Sequence, residues 1–455
     1  MLPSRLTCTV LNSTRSFLVI TAHFVDESDS TFQCVCLGSI QMTQSHTGEH
    51  IAEELAKSIK QFGIEKGRIV SVTTDGASNM TKAADMFLSA QQRIVCFAHI
   101  LNLLVQGALS ATKDFEKNSD SGEENCDILK HSVLAMDALR EQQKKMGKSE
   151  GSYLYLSQDI ETRWNSTHDM LNKFQKLSPV VAQILASVTH KDGPQMLAGA
   201  HLEVVSEVIQ VLNPFKEATR EISGDKYITG STVLPIVHCI NESLKEIKSK
   251  TKTTIATNLI VQLEDGIQKR LLPLENNVLL CIATVLDPRF KRLYTFSPVS
   301  NAAAITKLCQ DIKDETLRLG IPSVEPDEGN LLPLQHQLTK DSIWDKHEER
   351  IKKNCETSIV DSQSQGTVPL ELKLYFSTSC IQRNSEPVKF WTSRITSTPA
   401  LANTALKYLT VVGSSVASER AVSAVNHVLS ERRSRLTSEH VNERLFLVCV
   451  DDKYW

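Results

Sequence analysis

The sequence predicts an α+β protein: a mixed α/β beginning, a long all-helical middle and a short helical end. Three observations carry that expectation. Strand-like and helix-like periods alternate up to about residue 110, the stretch from about 128 to 320 reads almost wholly as helix, and the chain returns to helix after Trp391. A single α/β core interrupted by a helical insertion accounts for this order. Three independent units account for it equally, and composition does not choose between them.

The elements follow from local pattern. "SFLVITAHF" (16–24) is β-branched, aromatic and nearly continuous in apolar content, as in a strand covered on both faces. "VDESDS" makes a polar turn, and "TFQCVCLGSI" (31–40) returns as the second arm of a hairpin. In "GEHIAEELAKSIKQFGIEKG" the period changes: Ile51, Leu55, Ile59 and Phe62 recur at helical spacing, with Thr47 as N-cap and Gly63 as the C′ stop. "RIVSVTT" (68–74) is a third strand that ends abruptly at Asp75. "RIVCFAHILNLLVQGAL" (93–109) starts as a strand and continues as a helix. Residues 117–127 are acidic and polar, and 321–346 and 355–368 are rich in Pro, Ser, Gln and Asp; all three read as loops. A short apolar run, "ALKYLTVV", interrupts the closing helices.

Bulk properties narrow the classes. At 455 residues the chain has length for two or three domains. A net charge of −3 excludes a uniformly basic nucleic-acid binder, so local patches must carry any DNA contact. The 11 cysteines are scattered, odd in number and without a C-x-x-C pair, which suits a reducing compartment, cytosolic or nuclear, and speaks against a self-contained zinc finger. No apolar run approaches the ~18 residues of a membrane span. The opening stretch has one Arg and no clean apolar run with a small-residue cleavage site, so no signal peptide is expected.

The strongest local pattern lies in "SSVASERAVSAVNHVLSERRSRLTSEHVNERLFLV" (414–448). On a helix, Ala417, Ala421, Val425, Val428 and Leu429 form one stripe and Glu419 stands off it, free to face a cleft. Arg432, Arg433 and Arg435 form a compact basic cluster suited to phosphates. The bland readings are a solvated glutamate and a solubilising charge run. "SEHVNERLFLV" continues as an amphipathic helix through Val441, Leu445 and Val448, with Phe446 beside them.

The chain resembles transposase-derived proteins of the hAT superfamily, of the zinc finger BED domain-containing type. The segments that carry the resemblance occur in family order: "TRSFLVITAHFVDE", "SHTGEHIAEEL", "VTTDGASNM", "CFAHILNLLV", "TRWNST", "LDPRFK", and the end from "FWTSR" through "SVASERAVSAVN" and "SERRSRLTSEHVNERLFLV". The resemblance implies an RNase H-like mixed α/β core, split by a large all-helical insertion and closed by a C-terminal helical dimerisation segment. On that division 1–115 is the first part of the core, 116–395 the helical insertion, and 396–455 the dimerisation segment completing the core.

Such enzymes hold two Mg²⁺ or Mn²⁺ ions, about 3.5–4 Å apart, between two aspartates and a glutamate; hard anionic oxygens are needed because the ions are hard. Asp75 takes the place of the second aspartate and Glu419 that of the glutamate. The first aspartate belongs on the first strand, where this chain reads "LTCTVLNST". Aligning back from "TRSFLVITA" puts Thr9 in its place and Leu11 where a tryptophan belongs. No Asp or Glu occurs before Asp26, so a slip of register does not restore the missing acid. A neutral hydroxyl is a poor substitute for a carboxylate. The resemblance with this defect leads to the expectation of a degenerate site: no bound metal, catalysis lost, fold retained.

Further positions follow from the same resemblance. Cys96 and His99 match a C-x-x-H pair near the active site; without a second pair at metal spacing, a buried Cys and a hydrogen-bonded His are favoured over zinc. Trp164 matches a tryptophan that stacks a flipped base, with Arg163 beside it for phosphate; the bland alternative is an anchor of the insertion. Asp287 is expected to cap or turn a helix before Pro288. Trp391, Leu406 and Leu409, with Val441, Leu445 and Phe446, are candidates for a dimer surface or for the core. The BED finger, which lies N-terminal to this body in the family, is not among these residues.

The expected function is therefore a domesticated or degenerate hAT transposase body: a nuclear protein that dimerises with itself through about 368–448, with DNA as a further partner and no membrane. The alternative is an active, metal-dependent DDE transposase cutting DNA with Mg²⁺ or Mn²⁺, which would depend on Asp75 and Glu419.

Overall fold

The computed structural model describes residues 6–12, 17–26, 28–42, 45–116, 133–160, 163–187, 196–224, 226–294, 297–321, 342–357, 368–428 and 438–449. The loops expected at 117–127 and in most of 321–346 and 355–368 lie outside the described residues, as do Arg432, Arg433 and Arg435. The chain divides into two compact units. One comprises Met1–Ile100, Thr219–Cys239 and Leu271–Trp455; the other comprises Leu101–Ala218 and Ile240–Arg270.

The first unit is built on a five-stranded mixed sheet of order β3-β2-β1-β4-β5. Its strands are β1 (Leu6–Asn12), β2 (Phe17–Asp26), β3 (Thr31–Gln41), β4 (Ile69–Thr74) and β5 (Arg93–Val95). β1–β2 and β2–β3 are antiparallel; β1–β4 and β4–β5 are parallel. β2 and β4 are buried almost throughout, which is why their sequences lack the apolar–polar alternation of a half-exposed strand.

Two helices, α1 (Gly48–Gln61) and α2 (Ser78–Phe87), cover one face through Ile51, Leu55, Ile59, Met80, Ala83 and Phe87, which meet Leu18, Ile20 and Val72 of the sheet. Each buried Leu or Ile there stabilises the unit by about 1.5–3 kcal/mol. The Thr47 hydroxyl accepts the His50 N–H at 3.3 Å and starts α1. Gly63, at φ +63°, ends it in the left-handed conformation that a Cβ disfavours.

The rest of this unit is helical: α9 (Val278–Leu286), α10 (Pro298–Leu319), α11 (Asp345–Thr357), α12 (Leu370–Ser377), α13 (Pro387–Thr392), α14 (Pro399–Leu409), α15 (Val416–Val428) and α16 (Ser438–Cys449). α15 lies against β1 and β2, and α16 against β3. The "ALKYLTVV" run divides: its first half ends α14, and Val411 and Val412 continue outside helical structure.

The second unit contains α4 (Val133–Lys145), α5 (Trp164–Ser187) and α8 (Thr254–Gly266), with most of α3 (Phe97–Glu116), α6 (Gly199–Ile222) and α7 (Val233–Lys250). Leu139, Phe174, Leu177, Val181 and Ile184 form a core of their own. Outside that core, the Glu207 carboxylate accepts the backbone N–H groups of Lys252 and Thr253, each at 2.9 Å, and so satisfies donors at the start of α8 that no helical carbonyl can reach.

Candidate functional site

The candidate site sits where the two parallel strands β1 and β4 run out, an end at which open α/β sheets place ligands. β4 delivers Asp75 to this end. Its side chain is half-buried, and Oδ1 accepts the Ala77 N–H at 3.1 Å, closing a turn between strand and α2. Gly76 occupies φ +84°, and a Cβ there would stand 3.0 Å from Val95 Cγ1, so this turn needs glycine twice over. Register places Thr9 beside Thr73 on β4 and opposite Thr21 on β2. The residue in the first-strand position thus stands in the row that leads to Asp75.

Glu419 reaches the same end of the sheet through a chain of hydrogen bonds. The Cys96 N–H donates to the Thr74 carbonyl at 2.7 Å, and the Cys96 sulfur accepts the Ser415 N–H at 3.3 Å. The Ser415 carbonyl in turn accepts the Glu419 N–H at 3.1 Å in the first turn of α15. Beside it, Thr73 Oγ1 donates to the Val412 carbonyl, Phe97 N–H donates to the Gly413 carbonyl, and the hydroxyls of Thr21 and Ser418 pair at 3.2 Å. Thr21 is on β2 next to Thr9, so Ser418 fixes the helix residue preceding Glu419 over the first strands. Glu419 is exposed, in an N-terminal helical turn where a carboxylate is favoured by the helix dipole.

Cys96 is fully enclosed, and burial raises its thiol pKa; the bonds from Ser415 oppose the rise and the Glu419 charge adds to it. A buried, protonated sulfur accepting a backbone N–H is a tie between strand and helix, and a weak metal ligand. His99 is half-buried one helical turn on. Among the described residues no three of His, Cys, Asp and Glu converge as a metal-holding group.

Other sequence candidates lie elsewhere. Trp164 opens α5 in the second unit and is 2% exposed; stacking a base would require uncovering the ring, whereas anchoring a helix requires the burial it has. Arg163 beside it is exposed. Trp391 and Leu409 are fully buried in the first unit, and Leu406 is half-buried. Trp391 Nε1–H donates to the Leu286 carbonyl at 2.8 Å and the Tyr375 hydroxyl to the Val285 carbonyl at 3.0 Å. Both fill carbonyls that the last turn of α9 leaves without helical donors, so neither Trp391 nor Leu409 is open to a partner. Phe446 and Leu447 of α16 are 44% and 49% exposed. Val441 and Leu445 lie in α16, which packs on β3.

Asp287 ends α9 fully buried. It accepts the Arg289 backbone and guanidinium, with Nη2 at 2.7 Å, and the Ser231 hydroxyl at 2.6 Å. The expected turn before Pro288 is there, together with a buried ion pair that the sequence did not announce. The Thr21–Ser418 and Thr73–Val412 contacts were likewise not foreseen, and the small residues of "VVGSSVASE" ahead of Glu419 were the available hint.

Three family models match the chain: the ZBED1 RNase-like domain over residues 10–99, the ZBED1 RNase-like helical domain over 94–211, and the hAT family C-terminal dimerisation region over 371–451. Among curated proteins the chain is similar to human zinc finger BED domain-containing protein 4, 22% identical over 96% of this chain and 36% of the relative. It is similar to the putative AC transposase of Zea mays, 23% identical over 96% and 55%, and to human zinc finger BED domain-containing protein 6, 26% identical over 83% and 39%. The chain thus spans about a third to a half of the length of these relatives. The three matched regions, in this order along the chain, and the similarity over most of its length place it among the hAT-type transposases and the zinc finger BED domain-containing proteins.

Proposed function

We propose that this chain is the body of a hAT-type transposase that no longer catalyses strand transfer and acts as a self-associating, DNA-associated nuclear protein. One observation carries the reading: Thr9 stands in the β1 row that leads through Thr73 to Asp75, where a third carboxylate would be needed. Two ions of charge +2 held close together require several anionic oxygens to offset their repulsion. Asp75 and Glu419 supply two carboxylates, and one of them already accepts a backbone hydrogen bond. The residues present therefore do not fit a two-metal centre. The hydrogen bonds of Thr73, Cys96, Ser415 and Ser418 tie the strand to the helix directly, which explains how the fold persists without the cations.

The test is DNA nicking in Mn²⁺ by the wild type and by Thr9→Asp. The expected result is no nicking by the wild type. Nicking that disappears in Asp75→Ala or Glu419→Ala would overturn the proposal and establish the alternative, an active DDE transposase. That alternative has one observation in its favour, similarity over 96% of this chain to a protein named as a putative transposase.

A further inference from the structure

Within the first unit, a groove of about 480 Å³ runs between α1, the turn that follows it and the last turn of α2. Ile59 and Phe87 line it at 3% and 4% exposed, Ile64 is half-buried, and Met86 stands 51% exposed, a flexible thioether suited to adapting to a partner's surface. On the α1 wall, Ala52 and Ala56 lie one turn apart and carry nothing beyond Cβ. A second helix can therefore approach α1 at the short end of the usual range of about 8–10 Å between axes.

Charge is ordered along the groove. Glu49, in the first turn of α1, is bound by Lys82. One turn on, Glu53 is exposed and makes no ion pair among the described residues, its neighbour Lys57 being held by Glu54 at 2.7 Å. At the other end stand Lys60, in the last turn of α1, and Lys66, whose ammonium lies 5.7 Å from the Phe87 ring centroid. Both lysines are exposed, and among the described residues neither ammonium lies within 4.0 Å of a carboxylate. Glu53 and Lys60 are about 10 Å apart along the helix axis, with the apolar strip between them.

We propose that this groove docks an amphipathic helix of a partner protein, running antiparallel to α1, with acidic residues in its first turn beside Lys60 and Lys66 and a basic residue in its last turn beside Glu53. Apolar side chains spaced i, i+4 and i+7 on its inner face meet Ile59, Ile64, Met86 and Phe87. The direction follows from charge. An acidic first turn and a basic last turn stabilise the docked helix through its own dipole, so the residues that suit the groove also suit the helix. Laid the other way, it would need a basic first turn and an acidic last turn, against that dipole. The proposal is independent of the reading given for Asp75 and Glu419.

The experiment measures binding of fluorescein-labelled helical peptides to the full chain by fluorescence anisotropy. The probe carries leucines at i, i+4 and i+7 on an alanine background, glutamates in its first turn and lysines in its last. A second peptide differs only in having lysines for the first-turn glutamates. The protein variants change exposed positions: Ala56→Arg, which fills the groove, and Lys60→Glu with Lys66→Glu. The wild type is expected to bind the probe saturably and the second peptide about tenfold more weakly, and Ala56→Arg to weaken the probe about tenfold. The double variant is expected to reverse the preference between the two peptides. No saturable binding at millimolar probe overturns the proposal, as does an unchanged preference in the double variant or an unchanged affinity in Ala56→Arg. A lower mass by light scattering for the peptide-free Ala56→Arg chain would assign the groove to a second copy of this chain, which also overturns it.

Discussion

At the scale of single residues, burial decides what an ionisable side chain contributes. Asp287 and Arg289 pair in two parallel hydrogen bonds, and Asp287 has no solvent to fall back on. Asp287→Ala leaves the guanidinium unpaired against Phe290, and a loss of about 3–5 kcal/mol is expected, read as a fall in the thermal unfolding midpoint. Lys291 is a second case, held at φ +46° with its ammonium donating to the carbonyls of Tyr375 and Thr378 and to the Thr378 hydroxyl. Burial outweighs those three acceptors and pushes its pKa down to about 8 from an ordinary 10.5. Between those values the unfolded chain binds the proton and the folded chain does not, so this lysine's contribution to stability rises with pH across that window. Measured from pH 8 upward, the wild type should gain stability relative to Lys291→Met. A constant difference would show that the amine titrates alike in both states.

At the scale of elements, the sheet edge and its covering helix are fitted to one another. β3 is an edge strand, and α16 covers it with Asn442, whose Oδ1 accepts the Ser39 N–H at 2.8 Å. The helix comes so close that a Cβ on Gly38 would lie 2.7 Å from that oxygen, and Gly38 itself holds φ +148° opposite the shift of register at Ile20 and Thr21. Gly38→Ala must therefore push the Asn442 side chain off the Ser39 N–H and loosen the hold of α16 on the edge, while the α1–α2 side of the sheet keeps its packing. Hydrogen exchange should quicken selectively over 438–449. Uniform quickening throughout the first unit would contradict that localisation. Local pattern alone made α1 legible, because Thr47, the Ile51–Leu55–Ile59 stripe and Gly63 are all short-range signals. The Gly38–Asn442 fit was not legible, because its two members are far apart in sequence and each is unremarkable among its own neighbours.

At the scale of the whole molecule, the hAT dimerisation region matched over 371–451 points to self-association, and burial sorts which of its residues can serve. Trp391, Leu401 and Leu409 are core, so deleting 396–455 would remove packing from the first unit and report on folding before association. Phe446 and Leu447 are large apolar side chains of α16 that reach solvent. Phe446→Asp with Leu447→Asp should leave the fold intact and lower the mass seen by light scattering to that of one chain. An unchanged oligomer would move the interface elsewhere.

What the sequence by itself determined is the order of elements, the hairpin, the strand that ends at Asp75, and the lack of any acid before Asp26. These depend on period, caps and residue type, which are local. Tertiary structure alone decided that Cys96 and Ser415 join the Asp75 strand to the Glu419 helix, and that Trp391 faces inward. Each of those is a relation between segments distant along the chain, and it exists only once burial has removed the water that would otherwise satisfy every polar group equally.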